Sequence, residues 1–245
     1  MSYQLYEKYH QKTRSQREVI KKKNFTYRLI LNTAEPYLVN RKKILDIGCG
    51  AGTLSLYLAN YGNYVKGIDI SPKAINACKT SAQKLGLAQN TKFQVGNFLK
   101  TKIQGDFDLI LCSEIIEHLP KDKIAIKKIF NYLKPDGLAI ITVPSIKAPV
   151  CKTNFVKKFD KKVGHLKRYD GEELKSLLKK TGFKILEAHH TEGPFRNFLF
   201  ISPLGKIPLK FANRFEIVSD IFTFIDNISL KLFGSSQIII VAQKK

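Results

Sequence analysis

Three short stretches of this 245-residue chain carry residues whose types and spacing can do chemistry. The first is Gly48-Cys49-Gly50-Ala51-Gly52, with Asp46 two residues ahead of it. Glycines in such a turn permit positive φ and let backbone N–H groups approach a ligand. Asp46 narrows the choice of ligand. A carboxylate beside the turn opposes a pyrophosphate and suits a ligand bearing an ammonium and a sulfonium. The second stretch is Ser113-Glu114-Ile115-Ile116-Glu117-His118. Glu114, Glu117 and His118 offer oxygen and nitrogen atoms that can chelate a divalent metal such as Mg2+. The third is Gly164-His165-Leu166-Lys167-Arg168-Tyr169-Asp170. His165 is a candidate general base, because an unperturbed imidazole titrates near working pH. The competing use of this segment is structural, with Arg168 and Tyr169 fixing loop geometry.

Spacing excludes two other uses of the glycine turn. A dinucleotide fingerprint starting at Gly48 requires glycine at 53, where the chain has Thr53, and no Gly-Lys-Ser/Thr ending of a P-loop follows. Two further positions favour an adenosine. Asp69 can accept hydrogen bonds from both hydroxyls of a ribose. Asn97 can read an adenine edge, and Phe98 can pack on its face.

The elements that must position these groups are legible as alternating strands and helices. Strands are expected at 43–48, 64–70, 91–97, 107–113, 138–144, 184–190 and 237–245. Helices are expected at 53–62, from Pro72 to about Leu85, at 121–133, and at 170–180, with Ser71 and Asp170 as N-caps. Such alternation predicts an α/β fold, a doubly wound and mostly parallel sheet whose ligands bind at the carboxyl ends of the strands. Residues 1–42 form an N-terminal helical flap in this reading, with His10 joining Tyr6 and Tyr9. Residues 43–245 form the main domain, and 145–163 is a long loop returning over the active-site face. His189 and His190 are expected at the border of a second pocket.

The composition, 44% apolar, is that of a globular protein, and the net charge is +22. That charge suits RNA or an anionic membrane surface. The cations are 35 Lys and only 7 Arg. Arg is the better bidentate phosphate ligand, so the balance disfavours a dedicated nucleic-acid surface. Four scattered cysteines suggest neither a disulfide framework nor a zinc site. With no signal peptide read at the N-terminus, the expected location is the cytoplasm, with peripheral contact at the inner membrane surface.

Four motifs in order then carry a resemblance: Asp46-Ile-Gly48-Cys-Gly50-Ala-Gly52, Gly67-Ile-Asp69-Ile70-Ser, Phe107-Asp-Leu-Ile-Leu-Cys-Ser113-Glu114-Ile-Ile-Glu117-His118-Leu, and Leu133-Lys-Pro-Asp-Gly. Across roughly residues 40–190 the chain resembles class I S-adenosylmethionine-dependent methyltransferases. The resemblance implies a Rossmann-like sheet of order 3-2-1-4-5-7-6 with the seventh strand antiparallel. It implies a donor site drawn from Asp46, Gly48, Cys49, Gly50, Gly52, Asp69, Ile70, Asn97, Phe98, Ser113 and Glu114. Asn97 departs from the family, many members of which have Asp there. The Glu114-x-x-Glu117-His118 group is similar to that of ubiquinone-pathway O-methyltransferases, where a metal orients a catechol, and to that of small-RNA 2′-O-methyltransferases. His118 and His165 are the implied catalytic residues.

Residues 194–235 are an insertion before the last strand, rich in Phe and branched residues and punctuated by Arg196, Lys206, Lys210, Arg214 and Lys231. They are expected to form a basic amphipathic helix pair, either a lid over an apolar acceptor or a membrane-interface element. The leading expectation is methyl transfer to oxygen, less favourably to nitrogen or carbon, of a small-molecule or lipid-like acceptor. The alternatives are a metal-dependent RNA 2′-O-methyltransferase and a non-catalytic binder of S-adenosylmethionine.

Overall fold

The computed structural model describes residues 14–40, 42–148 and 154–245. His10, Tyr6 and Tyr9 of the expected flap lie outside them. The strands are β1 (Lys43–Ile47), β2 (Tyr64–Asp69), β3 (Thr91–Val95), β4 (Phe107–Ser113), β5 (Leu133–Pro144), β6 (Phe183–Thr191) and β7 (Gln237–Lys244). They form one sheet of order β3-β2-β1-β4-β5-β7-β6. The first five strands are parallel, and β7 runs antiparallel to both β5 and β6. The expected topology is therefore the observed one.

The central strands are buried on both faces, which is why KILDI and FDLILCS read as continuous apolar runs rather than alternating ones. Helices α1 (Arg28–Ala34), α2 (Thr53–Asn60) and α3 (Pro72–Lys84) cover one face around Leu31, Leu56 and Ile75. Helix α4 (Asp122–Tyr132) covers the other around Ile126 and Ile129. Local chemistry sets the helix starts: Ser71 Oγ accepts from the Ala74 N–H, with Pro72 at the first helical position.

Two segments differ from the sequence expectation. Within 145–163 the chain forms helix α5 (Asn154–Val163) rather than a plain loop. Val156, Phe159 and Val163 recur at helical spacing; Val156 is buried, and the other two face the site cavity. Helix α6 (Gly171–Thr181) follows, capped by Asp170, whose carboxylate accepts from the Glu172 N–H. The insertion forms three helices rather than two: α7 (Pro194–Ile201), α8 (Lys206–Arg214) and α9 (Glu216–Phe233). A short turn through Pro203 separates the first two, and Phe215, in extended backbone, separates α8 from α9.

Residues 14–40 pack on both the core and the insertion. The Gln16 side chain donates to Thr53 Oγ1 at 2.6 Å, beside the glycine turn. Phe25 is fully buried and meets Phe222 of α9 edge to face. Arg28 pairs with Asp220 and donates to Thr223 Oγ1 of α9 at 2.8 Å. Residues at both ends of the sequence thus close over the same end of the sheet.

Candidate active site

The site is built where β1 and β4 end at the middle of the sheet, the position at which strand order reverses. β1 delivers Asp46, and the chain then turns through Gly48, Gly50 and Gly52, all at positive φ. At Gly48 a side chain would collide with Ile115, so this turn and the β4 loop touch only because no Cβ intervenes.

Four of the five N–H groups of the turn are engaged within the protein rather than presented to a ligand, contrary to the sequence expectation. Gly48 and Cys49 both donate to the Ile68 carbonyl, Gly52 donates to Cys49, and Gly50 donates to Asp69 Oδ2 at 2.9 Å. These bonds fasten the turn to β2 and leave none of those four N–H groups for a phosphate. Beside the turn, burial pushes the Asp46 carboxyl up to about 6, and the nearby Asp69 charge adds to the rise. The Ser55 hydroxyl, donating at 2.5 Å, opposes it. Such a carboxylate gains from an incoming cation.

Two cavities flank the turn and share Gly48, Ile115 and His118. The smaller, about 490 Å³, is lined by Asp69, Ile70, Asn97 and Phe98. Asp69 accepts from the Gly50 and Ser71 N–H groups, which fixes its carboxylate for further hydrogen bonds. Asn97 Oδ1 accepts from the Leu99 N–H at 2.9 Å, so what it offers a ligand is its amide N–H. Phe98 is mostly buried, with the Lys128 ammonium 5.3 Å from its ring centroid.

The larger cavity, about 590 Å³, receives residues from every part of the chain. Asp46, Ser113, Glu114, His118, Arg168 and Glu192 line it, and Phe159, Phe200 and Ile201 add apolar surface. Glu114 stands at φ 54, in the left-handed region. Its Oε1 accepts from Thr142 Oγ1 at 2.9 Å and from Gln237 Nε2 at 3.3 Å. The expected metal set of Glu114, Glu117 and His118 is therefore not brought together. Among the described residues Glu117, His118 and His165 converge instead, with ligand atoms within 4.8 Å of one another.

That cluster has a definite electrostatic form. His118 Nδ1 lies 3.0 Å from the Gly164 carbonyl and must donate to it, so Nε2 carries the lone pair. His165 Nδ1 is bonded to Asp160 Oδ1 at 2.9 Å, and Arg168 grips the same carboxylate through Nε and Nη2. The two Nε2 atoms lie 3.7 and 3.9 Å from Glu117 Oε1. Glu117 is fully buried, and neither of its oxygens has a hydrogen-bond partner among the described residues. Burial, reinforced by Glu114, holds its carboxyl well above the usual range. Burial also lowers His118, and it takes His165 down to about 4 with help from His118 and against the pull of Asp160. Both shifts favour the neutral imidazole, the form that can bind a metal. The Leu166 N–H donates to the Glu117 carbonyl and ties the returning segment to the β4 loop.

Other sequence-singled residues lie elsewhere or do other work. His189 pairs with Glu187, and His190 bonds Ser235 Oγ; neither lines the cavities. Tyr169 is buried and donates to Asp122, holding the segment that carries His165. Sequence reasoning did not single out Glu192, which lies just past β6 at φ 59 and lines the larger cavity. Burial pushes its carboxyl up to about 7, with Arg196 lowering it and Glu114 and Asp226 raising it. Its only sequence signal is a Glu-Gly pair after a strand, which is weak.

The comparisons with known proteins meet this geometry at the glycine turn. The profile of the methyltransferase domain family matches residues 38–182, more than half of the chain. The chain belongs to this methyltransferase family. The ubiquinone biosynthesis O-methyltransferase of Coxiella burnetii is 40% identical over 96 residues, 39% of this chain and 41% of that protein. The chain thus spans about 40% of the length of the curated relatives it matches. A phosphoethanolamine N-methyltransferase from Haemonchus contortus, solved with S-adenosyl-L-methionine, shares the fold at a TM-score of 0.64 and 18% identity, over 87% of this chain and 51% of that one. The cyclase SpnF is also similar, with a TM-score of 0.64 at 21% identity over 89% of this chain and 80% of that one. The methyltransferase fold therefore does not by itself fix the reaction.

Proposed function

We propose that this family member transfers a methyl group from S-adenosylmethionine to an oxygen of a small, partly apolar acceptor. The observation that carries the reading is the pair of cavities on either side of Gly48, Ile115 and His118, which line both. A donor lying across the turn has its adenosine among Asp69, Asn97 and Phe98 and its cationic end beside Asp46. Its reactive end then enters the cavity that holds Glu192 and the Glu117 cluster. S-adenosylmethionine supplies an electrophilic methyl group on a good leaving group. The protein's work is alignment, exclusion of water and removal of the acceptor proton. Oxygen as the target is favoured by the similarity to ubiquinone-pathway O-methyltransferases.

The Glu117, His118 and His165 donor set fits a divalent cation, because an orphaned buried carboxylate faces two imidazole lone pairs. A cation there polarises an acceptor oxygen. Two imidazoles with one carboxylate suit a transition ion better than Mg2+, which favours oxygen ligands. In this reading His165 is a ligand rather than a base: with its pKa near 4, a proton on it at pH 7 is disfavoured by about a thousandfold. Glu192, at about 7, is the proton acceptor. The rate with saturating donor is expected to rise with pH through about 7 and then level. Glu192→Gln removes that rising limb and lowers kcat by roughly 10²–10⁴-fold. An unchanged pH profile in the variant excludes Glu192 from proton removal.

The donor assignment is tested by calorimetric titration with S-adenosylmethionine and its demethylated product. Both are expected to bind, and Asp69→Asn is expected to weaken binding by about tenfold or more, the cost of a hydrogen bond to a charged group. No binding at millimolar donor overturns the assignment. Binding with no donor consumed across phenolic, catecholic and lipid-like acceptors supports a non-catalytic binder instead.

A further inference from the structure

Helix α9 carries more apolar surface than closing the domain uses: Val218 and Phe222 pack inward, and a second apolar row faces solvent. Ile217, Ile221, Phe224, Ile225, Ile228 and Leu232 recur at helical spacing, yet all stand in solvent, with Ile217 75%, Phe224 66% and Leu232 68% exposed. The inward face mixes polar and apolar residues: Ser219 donates to the Lys23 carbonyl and Asp226 is buried against Arg196, while Val218 and Phe222 pack on the cluster around Phe25. Ile207 and Phe211 of α8 and Leu204 just before it are exposed as well. Scattered exposed apolar side chains need no explanation, but a stripe along an 18-residue helix does.

The charges around the stripe indicate what covers it. All three carboxylates of the insertion are occupied: Glu216 by Lys21 and Lys23, Asp220 by Lys23 and Arg28, and Asp226 by Arg196. Lys206, Lys210, Arg214 and Lys231 are exposed, and among the described residues none pairs with a carboxylate. The apolar row is thus edged by unbalanced positive charge on a chain that already carries +22. A second copy of the chain would bring like charge against like. An anionic bilayer meets both features at once, taking apolar side chains into the headgroup boundary and cations among the phosphates.

We propose that α8 and α9 form a docking face for the surface of an anionic phospholipid bilayer. Docking is peripheral, since no helix among the described residues is long and apolar enough to cross a membrane. Helix α7 joins this face to the site. Its Phe200 and Ile201 line the larger cavity, while its Phe198 is exposed. An acceptor with an apolar tail then reaches the cavity from the lipid side, although docking itself does not depend on the reaction assigned above.

The test is flotation of the full chain with vesicles of phosphatidylcholine alone or with about one third phosphatidylglycerol. Binding is expected on the anionic vesicles at low salt and is expected to fade as salt screens the charges. Ile221→Ser/Phe224→Ser/Ile228→Ser is expected to weaken partitioning by at least about tenfold. Lys206→Glu/Lys210→Glu is expected to weaken it by roughly fivefold per charge. Because the altered side chains are exposed, both variants are expected to keep the parent melting temperature and donor affinity. Absence of flotation at low salt overturns the proposal, as does equal binding by the triple variant. A concentration-dependent dimer in light scattering that the triple variant abolishes, with no vesicle binding, assigns the face to a second copy instead.

Discussion

Glu117→Gln is expected to raise the melting temperature of the chelator-treated protein by roughly 2–10 °C while lowering methyl transfer by about a hundredfold or more. The two effects have one cause. Glu117 is buried with both oxygens unpartnered among the described residues, so without a cation it must either carry a desolvated charge or hold a proton well above the usual carboxyl range. Removing an uncompensated buried charge by an isosteric neutral group is worth about 1–3 kcal/mol. The same change removes the anionic member of the donor set, so added divalent metal should stabilise the parent protein and not the variant.

The pH dependence gives an independent check. A carboxyl whose folded pKa is raised destabilises the fold as pH climbs above its unfolded value near 4.5, until the folded group itself ionises. The melting-temperature gap between variant and parent should therefore be small at pH 4 and widen toward pH 8. Equal melting temperatures across that range, in chelator, show that Glu117 is compensated by something other than a cation.

The second large effect is expected at Arg196, the largest fully buried side chain. Its Nε donates to Asp226 at 3.1 Å, Nη1 donates to the Phe25 carbonyl, and the guanidinium lies 3.8 Å from the Phe25 ring centroid. It therefore fastens the N-terminal segment to the insertion at the roof of the site. Arg196→Met strands Asp226 as an unpaired buried charge, an expected loss of about 3–5 kcal/mol. For a domain of this size that is a fall in melting temperature of roughly 6–20 °C. Arg196→Met/Asp226→Asn removes the stranded charge and should recover much of the loss, because the Gly193 and Arg196 N–H groups keep an acceptor at 226. A loss below about 1 kcal/mol in the single variant denies this pair its structural role.

Much of the framework around the glycine turn was legible in the sequence. Strand one, the glycine turn, Asp46 and Asp69 are fixed by local chemistry, because a strand-turn-helix joint allows few backbone paths. Even there, the hydrogen bonds of Gly48 and Cys49 to Ile68 depend on β2 lying alongside, which no local rule provides. The cluster around Glu117 was legible only as a set of residues. Glu114 and Glu117 are equivalent by spacing, yet the left-handed backbone at Glu114 sends it to Thr142 and Gln237. Its place beside His118 is taken by His165, delivered from 47 residues further along the chain by Tyr169 and the Asp160–Arg168 pair.

The insertion draws the same line more sharply. The sequence by itself determined that α9 has an apolar stripe, because 217, 221, 224, 228 and 232 share one helical face. Only the tertiary structure decided that this face looks outward. Periodicity is a property of one helix, whereas burial is decided between elements: Arg196, Lys23 and Arg28 draw Asp226, Ser219 and Asp220 toward the body of the protein, and the apolar row is left on the far side.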